Sequence, residues 1–85
     1  MKIYKYNGKC NASGENIRKI RERAKLSQEQ LASLLQLRGL SINQKAISRI
    51  ETGERVVADY ELMLLSQVLC VSIDNLLSDC EMSGV

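Results

Sequence analysis

Five side chains between residues 44 and 52 could do chemistry together. Gln44, Lys45, Ser48, Arg49 and Thr52 stand at spacings of 1, 4, 5 and 8, which puts them on one face of a helix. Ala46, Ile47 and Ile50 fall on the opposite face. The polar face offers an amide, an ammonium, hydroxyls and a guanidinium, and it has no carboxylate. Such groups suit the edges of base pairs. Gln pairs with adenine N6 and N7, and Lys or Arg with guanine O6 and N7. Any solvated helix also has a polar outer face. Solvated faces usually mix both signs, however, and this one lacks the acids that phosphates repel.

Glu51 is the exception in charge and in place. It sits beside Ile50, toward the apolar side. A carboxylate there needs a partner, because an unpaired buried charge is costly. Arg21 lies one residue from Ile20, on an earlier apolar stripe, and is the expected partner. The other reading is that both side chains reach water independently.

The rest of the composition excludes most catalysis. The chain of 85 residues has no His, Trp, Phe or Pro. Without His there is no Ser-His or Cys-His pair and no His-containing zinc site. No clustered acid pair and no Gly-rich phosphate loop stands out. The expectation is not an enzyme, with no cofactor and no metal. Cys10, Cys70 and Cys80 are odd in number and form no CxxC pair, which reads as reduced thiols of a cytosolic protein. No apolar run approaches membrane-spanning length, and MKIYKYNGK has no signal-peptide core. A soluble, cytoplasmic protein with no membrane partner is expected.

The net charge of +2 hides a strong asymmetry. Residues 1–25 hold eight basic and two acidic side chains, and residues 26–55 hold four and three. Residues 56–85 hold five acidic and no basic ones. One end therefore suits a polyanion and the other faces away from it. Lys2, Lys5 and Lys9 interleave with Tyr4 and Tyr6. They form an arm along phosphates, a solvated terminus, or a strand that pairs with a second copy.

These residues must be positioned by short helices. Leu26-Ser27 leads to Leu31, Ile42-Asn43 to Ile47, and Val71-Ser72 to Leu76. Each has the form of a hydrophobic staple around an N-cap. Gln30 completes a capping box with Ser27. Ala12-Ser13…Ile17 and Ala58-Asp59…Met63 fit more weakly. The prediction is an all-α bundle of five short helices. They run over about 15–25, from 28 to a Gly39 cap, and over 44–52, 60–69 and 73–77. The domain spans 14–78, after a basic arm over 1–13 and before a tail over 79–85. Leu37, Leu40 and Ile42 make the long segment after helix two an expected packing element. Met63, Leu64, Val68 and Leu76 exceed what one stripe needs, which points to a dimer contact through helices four and five or to an enlarged core.

Four blocks resemble the lambda-repressor-like helix-turn-helix family, closest to its Cro/repressor and xenobiotic-response-element branch. They are Ile17-Arg18-Lys19-Ile20-Arg21, Leu26-Ser27-Gln28-Glu29-Gln30-Leu31-Ala32, Ala46-Ile47-Ser48-Arg49-Ile50-Glu51-Thr52-Gly53 and Leu69-Cys70-Val71-Ser72. They occur in order across residues 14–78.

The resemblance implies that helices two and three are the DNA-reading pair. Gln28 matches a phosphate-touching Gln at the start of helix two. Asn43, Gln44 and Lys45 match the first residues of the recognition helix, and Arg49 a later contact position. Ser48 lies between contacts. Arg21 and Glu51 match a structural ion pair, and Ala32 the small residue where the two helices cross. The function implied is sequence-specific binding of double-stranded DNA by a transcriptional regulator of bacterial or phage type. A homodimer on an inverted repeat would do this. The alternative is a protein-binding module of the same fold, an antitoxin or adaptor, working through helices four and five. Two departures stand out. The path from Ala32 to Ile47 is longer than the family's tight turn by about five residues, and its Arg38 is a candidate phosphate contact. Cys70 stands where the family has Gly, and a Cys with positive φ is strained, so that helix is expected to end differently.

Overall fold

A computed structural model describes residues 5–78. Lys2, Tyr4, Cys80 and the predicted tail over 79–85 lie outside the described residues. The helices are α1 (Gly14–Arg23), α2 (Gln28–Leu37), α3 (Gln44–Thr52), α4 (Asp59–Leu69) and α5 (Ile73–Leu77). The architecture is all-helical, as predicted.

Three helices start on the side-chain caps expected from sequence. Ser27 Oγ accepts from Gln30 N at 3.0 Å, and Gln30 Oε1 accepts from Ser27 N at 2.8 Å. Asn43 Oδ1 accepts from Ala46 N at 2.9 Å, and Ser72 Oγ from Asn75 N at 3.1 Å. The two weaker starts are built otherwise. Ser13 holds the cap position of α1 without a side-chain bond, and Asn11 Oδ1 takes the Gly14 N–H instead. α4 begins one residue earlier than predicted, at Asp59 behind Ala58. Ala58 has no cap oxygen, so the box is one-sided: Glu61 Oε1 accepts from Ala58 N at 3.0 Å.

The first four helices end alike. A residue in the left-handed region is followed by one whose N–H reaches back to a carbonyl five residues earlier. The bonds are Leu26 N to Arg21 O, Leu40 N to Leu35 O, Glu54 N to Arg49 O and Val71 N to Ser66 O, at 2.8–3.1 Å. This closure satisfies carbonyls that a helix end leaves free. Gly39 and Gly53 supply the left-handed residue in two cases, Lys25 and Cys70 in the others. Cys70 thus corrects the expectation that α4 ends differently: it adopts φ +57° in the glycine's role. α1 likewise stops at Arg23, not 25, and leaves Ala24 exposed.

The core is aliphatic. Ile17, Leu31, Leu35, Ile47, Ile50, Leu65 and Leu76 are fully buried, and Ala32, Ile42 and Leu69 nearly so. Leu76 is therefore core and not surplus. The segment between α2 and α3 packs through Leu40 and Ile42 and is held by Gln36 Nε2 donating to Ile42 O at 2.6 Å. Leu37, expected to pack there, is 83% exposed instead: it is the last residue of α2 and stands two positions past buried Leu35, about 200° around the helix.

The described part of the predicted arm is folded back. Tyr6 and Lys9 exchange backbone hydrogen bonds across a tight turn, so the bridge is made within the chain. Cys10 N then donates to Gly53 O at 2.8 Å. Asn11 Nδ2 donates to Ile50 O at 3.1 Å and to Arg55 O at 2.6 Å. Residues 9–13 are thereby tied to the C-terminal end of α3.

Candidate nucleic-acid interface

α3 owes its orientation to its apolar side. Ile47 and Ile50 enter the core, and Gly53 ends the helix in the left-handed region. Gln44, Lys45, Arg49 and Thr52 are left exposed, with Ser48 half-buried between them. The face predicted from spacing is therefore an outward one. Asn43 Oδ1 is committed to its cap bond, so its amide N–H groups are what it offers outward.

Glu51 turns inward from this face. Its carboxylate meets the Arg21 guanidinium at two points, Nε to Oε2 at 2.6 Å and Nη2 to Oε1 at 3.0 Å. Both residues are buried. Arg21 Nη1 also donates to Leu26 O at 2.7 Å. The Glu51 hydrogen bonds push the Arg21 pKa further above its ordinary value, against the opposing effect of burial. One fork thus joins α1, the turn before α2, and α3.

Two predicted contact residues meet on this base. Gln28 Nε2 donates to Glu51 Oε1 at 3.0 Å, and Gln44 Nε2 donates to Gln28 Oε1 at 2.5 Å. The N-terminal ends of α2 and α3 are thereby joined side by side. Ser27 and Asn43 cap the third N–H of each helix, and earlier backbone N–H groups point out of the helix ends. Helix N-termini carry partial positive charge and favour anions. Arg38 does not join this group. It lies past the far end of α2, about 15 Å along the helix from Gln28. Its Nη1 donates to Gln67 Oε1 of α4 at 3.0 Å.

A helix-turn-helix family model matches residues 17–76. The chain belongs to the lambda-repressor and Cro-like helix-turn-helix family. No curated protein and no solved structure matches it. The family is one of DNA-binding transcription regulators, typically without enzymatic activity. In helix-turn-helix terms α2 and α3 are the paired helices, and Ala32, 4% exposed, lies on the inner side of α2. The departure at 36–42 adds an ordered turn between the pair. No described helix is long and apolar enough to cross a membrane.

Three features of this helix-turn-helix unit lie beyond the sequence reading. Asn11 clasps α1, α3 and Arg55 together. Gly14 allows α1 to approach the end of α3. Arg55 and Glu61 form a second two-point pair, at 2.8 and 2.9 Å. Its signal was a Glu three residues after Ala58, the capping-box position.

Proposed function

We propose that this protein is a bacterial or phage transcriptional regulator, active in the cytoplasm, that binds double-stranded DNA by sequence with α3 in the major groove. The observation that carries the reading is the Gln44–Gln28 bond, which sets a carboxylate-free helix face beside the N-terminus of α2. Gln28 and the N-terminal end of α2 hold a phosphate, and Lys9 and Arg49 add backbone charge. Gln44, Lys45 and Asn43 read base edges, and Ser48 reaches phosphate. Arg38, bound to Gln67, stays outside this set.

In this reading the DNA-binding unit is 14–78 and it works as a homodimer on an inverted repeat, with half-sites about one helical turn apart. Tyr60 and Met63 are exposed three residues apart on α4, and Ile73 and Leu77 four apart on α5. Each pair shares a helix face, and together they supply apolar area for a second copy. The same residues support the second reading, a protein-binding module that holds a different partner there.

Selection of bound sequences from a random DNA pool tests the proposal. A symmetric selected site with salt-sensitive affinity supports it. Absence of salt-sensitive binding at low ionic strength overturns it in favour of the protein-binding module.

A further inference from the structure

The hydrogen bonds that end on Gln44 run in one direction. Arg21 donates to Glu51, Gln28 donates to Glu51, and Gln44 donates to Gln28. The direction has a chemical origin. An ionised carboxylate only accepts hydrogen bonds. A Gln amide beside it must therefore present its N–H, since the flipped amide would set oxygen against oxygen. With Nε2 of Gln28 turned to Glu51, Oε1 is the end left for Gln44. An oxygen only accepts, so Gln44 in turn must present Nε2. The polarity of an exposed amide is dictated by a buried acid two side chains away.

We propose that Glu51 is a positioning residue for base recognition. Paired at two points with Arg21, it fixes which way the Gln44 amide faces and so which base Gln44 accepts. One Nε2 hydrogen of Gln44 is spent on Gln28. What remains toward the groove is one N–H donor and the Oε1 acceptor. That pair matches adenine, which offers N7 as acceptor and N6 as donor. It mismatches guanine, whose N7 and O6 are both acceptors, because Oε1 would face O6. An unrestrained Gln can turn both Nε2 hydrogens outward and tolerate guanine. The relay therefore sharpens adenine over guanine at one base pair.

The inference rests on α3 being the major-groove helix, and the experiment separates the two. Sites are selected from random DNA with the full chain, and Gln44→Ala identifies the base pair that Gln44 reads. If wild type selects no site, or Gln44→Ala changes no position, the reading of α3 itself fails. With that position known, adenine-over-guanine preference is measured for two variants. Arg21→Met/Glu51→Met removes the relay at its source while refilling the buried volume with apolar atoms, a change that buried ion pairs often tolerate. Gln28→Met removes the link and leaves the ion pair intact. Each variant is expected to lose the preference at that position about fivefold or more, with other positions unchanged. Gln28→Met also weakens all sites alike by losing its phosphate contact, but the preference is a ratio and is insensitive to that. Wild-type preference in Gln28→Met overturns the proposal. So does wild-type preference in a folded Arg21→Met/Glu51→Met, and if that protein does not fold, Gln28→Met decides alone.

Discussion

A methyl group on Gly14 would lie 2.1 Å from the carbonyl oxygen of Ile50. The first turn of α1 thus rests on the last turn of α3 with no room for a side chain. The same carbonyl accepts from Asn11 Nδ2 and from Gly53 N. Gly14→Ala improves helix propensity but forces two backbones apart. Overpacking of this kind costs roughly 1–3 kcal/mol. The expected outcome is a lower denaturant midpoint with an unchanged m value. An equal or higher midpoint would show that α1 can shift freely against α3.

Glu61 makes stability depend on acid. The Arg55 guanidinium hydrogen-bonds its carboxylate and holds the pKa below the ordinary 4.5; burial opposes this, and the Ala58 N–H adds to it. A carboxylate with a depressed folded pKa stabilises the fold at pH values above its unfolded pKa. That contribution is lost as pH falls through the folded value. Unfolding free energy is therefore expected to drop from about pH 4.5 downward. In Glu61→Gln the protein is less stable at neutral pH and the acid slope is shallower. Parallel acid limbs for wild type and variant would remove Glu61 from this role.

What the sequence made legible divides by the range of the chemistry. N-caps are local, so Ser27, Asn43 and Ser72 announced their helices within four residues. C-caps were legible where Gly39 and Gly53 stood. Lys25 and Cys70 do the same work without any local signature, so periodicity alone carries α1 on to residue 25 and gives Cys70 no left-handed turn. The Arg21–Glu51 pair was legible because a carboxylate beside Ile50 demands a cation. Asn11 was not, since its amide acts across 39 and 44 residues. The contact between Gln28 and Gln44 depends on two rotamers and on the acid behind Gln28, which periodicity does not encode. Leu37 lies outside the core and Leu76, for which the sequence leaves a dimer contact or an enlarged core open, lies inside it: hydropathy alone does not say which face of a short helix meets the core.

Cys70 and Lys25 predict stabilisation by glycine. Both sit in the left-handed region, at φ +57° and +61°. A side chain there costs roughly 1–2 kcal/mol through the clash of Cβ with backbone. Glycine removes that cost but has more unfolded-state entropy to lose. The net expectation for Cys70→Gly or Lys25→Gly is a gain of about 0.5–1 kcal/mol, or a few degrees in Tm for a domain of this size. Gly53→Ala is the opposite case. It adds strain at φ +83° and a contact of 2.9 Å or less with the Lys9 side chain. Thermal melts of the three variants are expected to order Cys70→Gly and Lys25→Gly above wild type and Gly53→Ala below it. Any other order breaks the account of the shared helix endings.

Lys45 and Arg49 are exposed on the same face of α3 and are expected to fail differently. Lys45 stands in the first turn, beside Gln44, where a groove-bound helix meets base edges. Lys45→Ala should relax preference at one base pair, by about 1–3 kcal/mol of discrimination. Arg49 lies a full turn further along, and in the proposed reading it supplies charge to the DNA backbone. Arg49→Gln should weaken all sequences nearly alike and reduce the slope of log affinity against log salt by about one. Titration of both variants against the selected site and a scrambled one, at two salt concentrations, separates the effects. Equal binding of Lys45→Ala and wild type to the selected site, with an equal margin over the scrambled one, would remove Lys45 from base reading. An unchanged salt slope in Arg49→Gln would place that side chain away from the phosphates, and the helix would then have to enter the groove by its first turn alone.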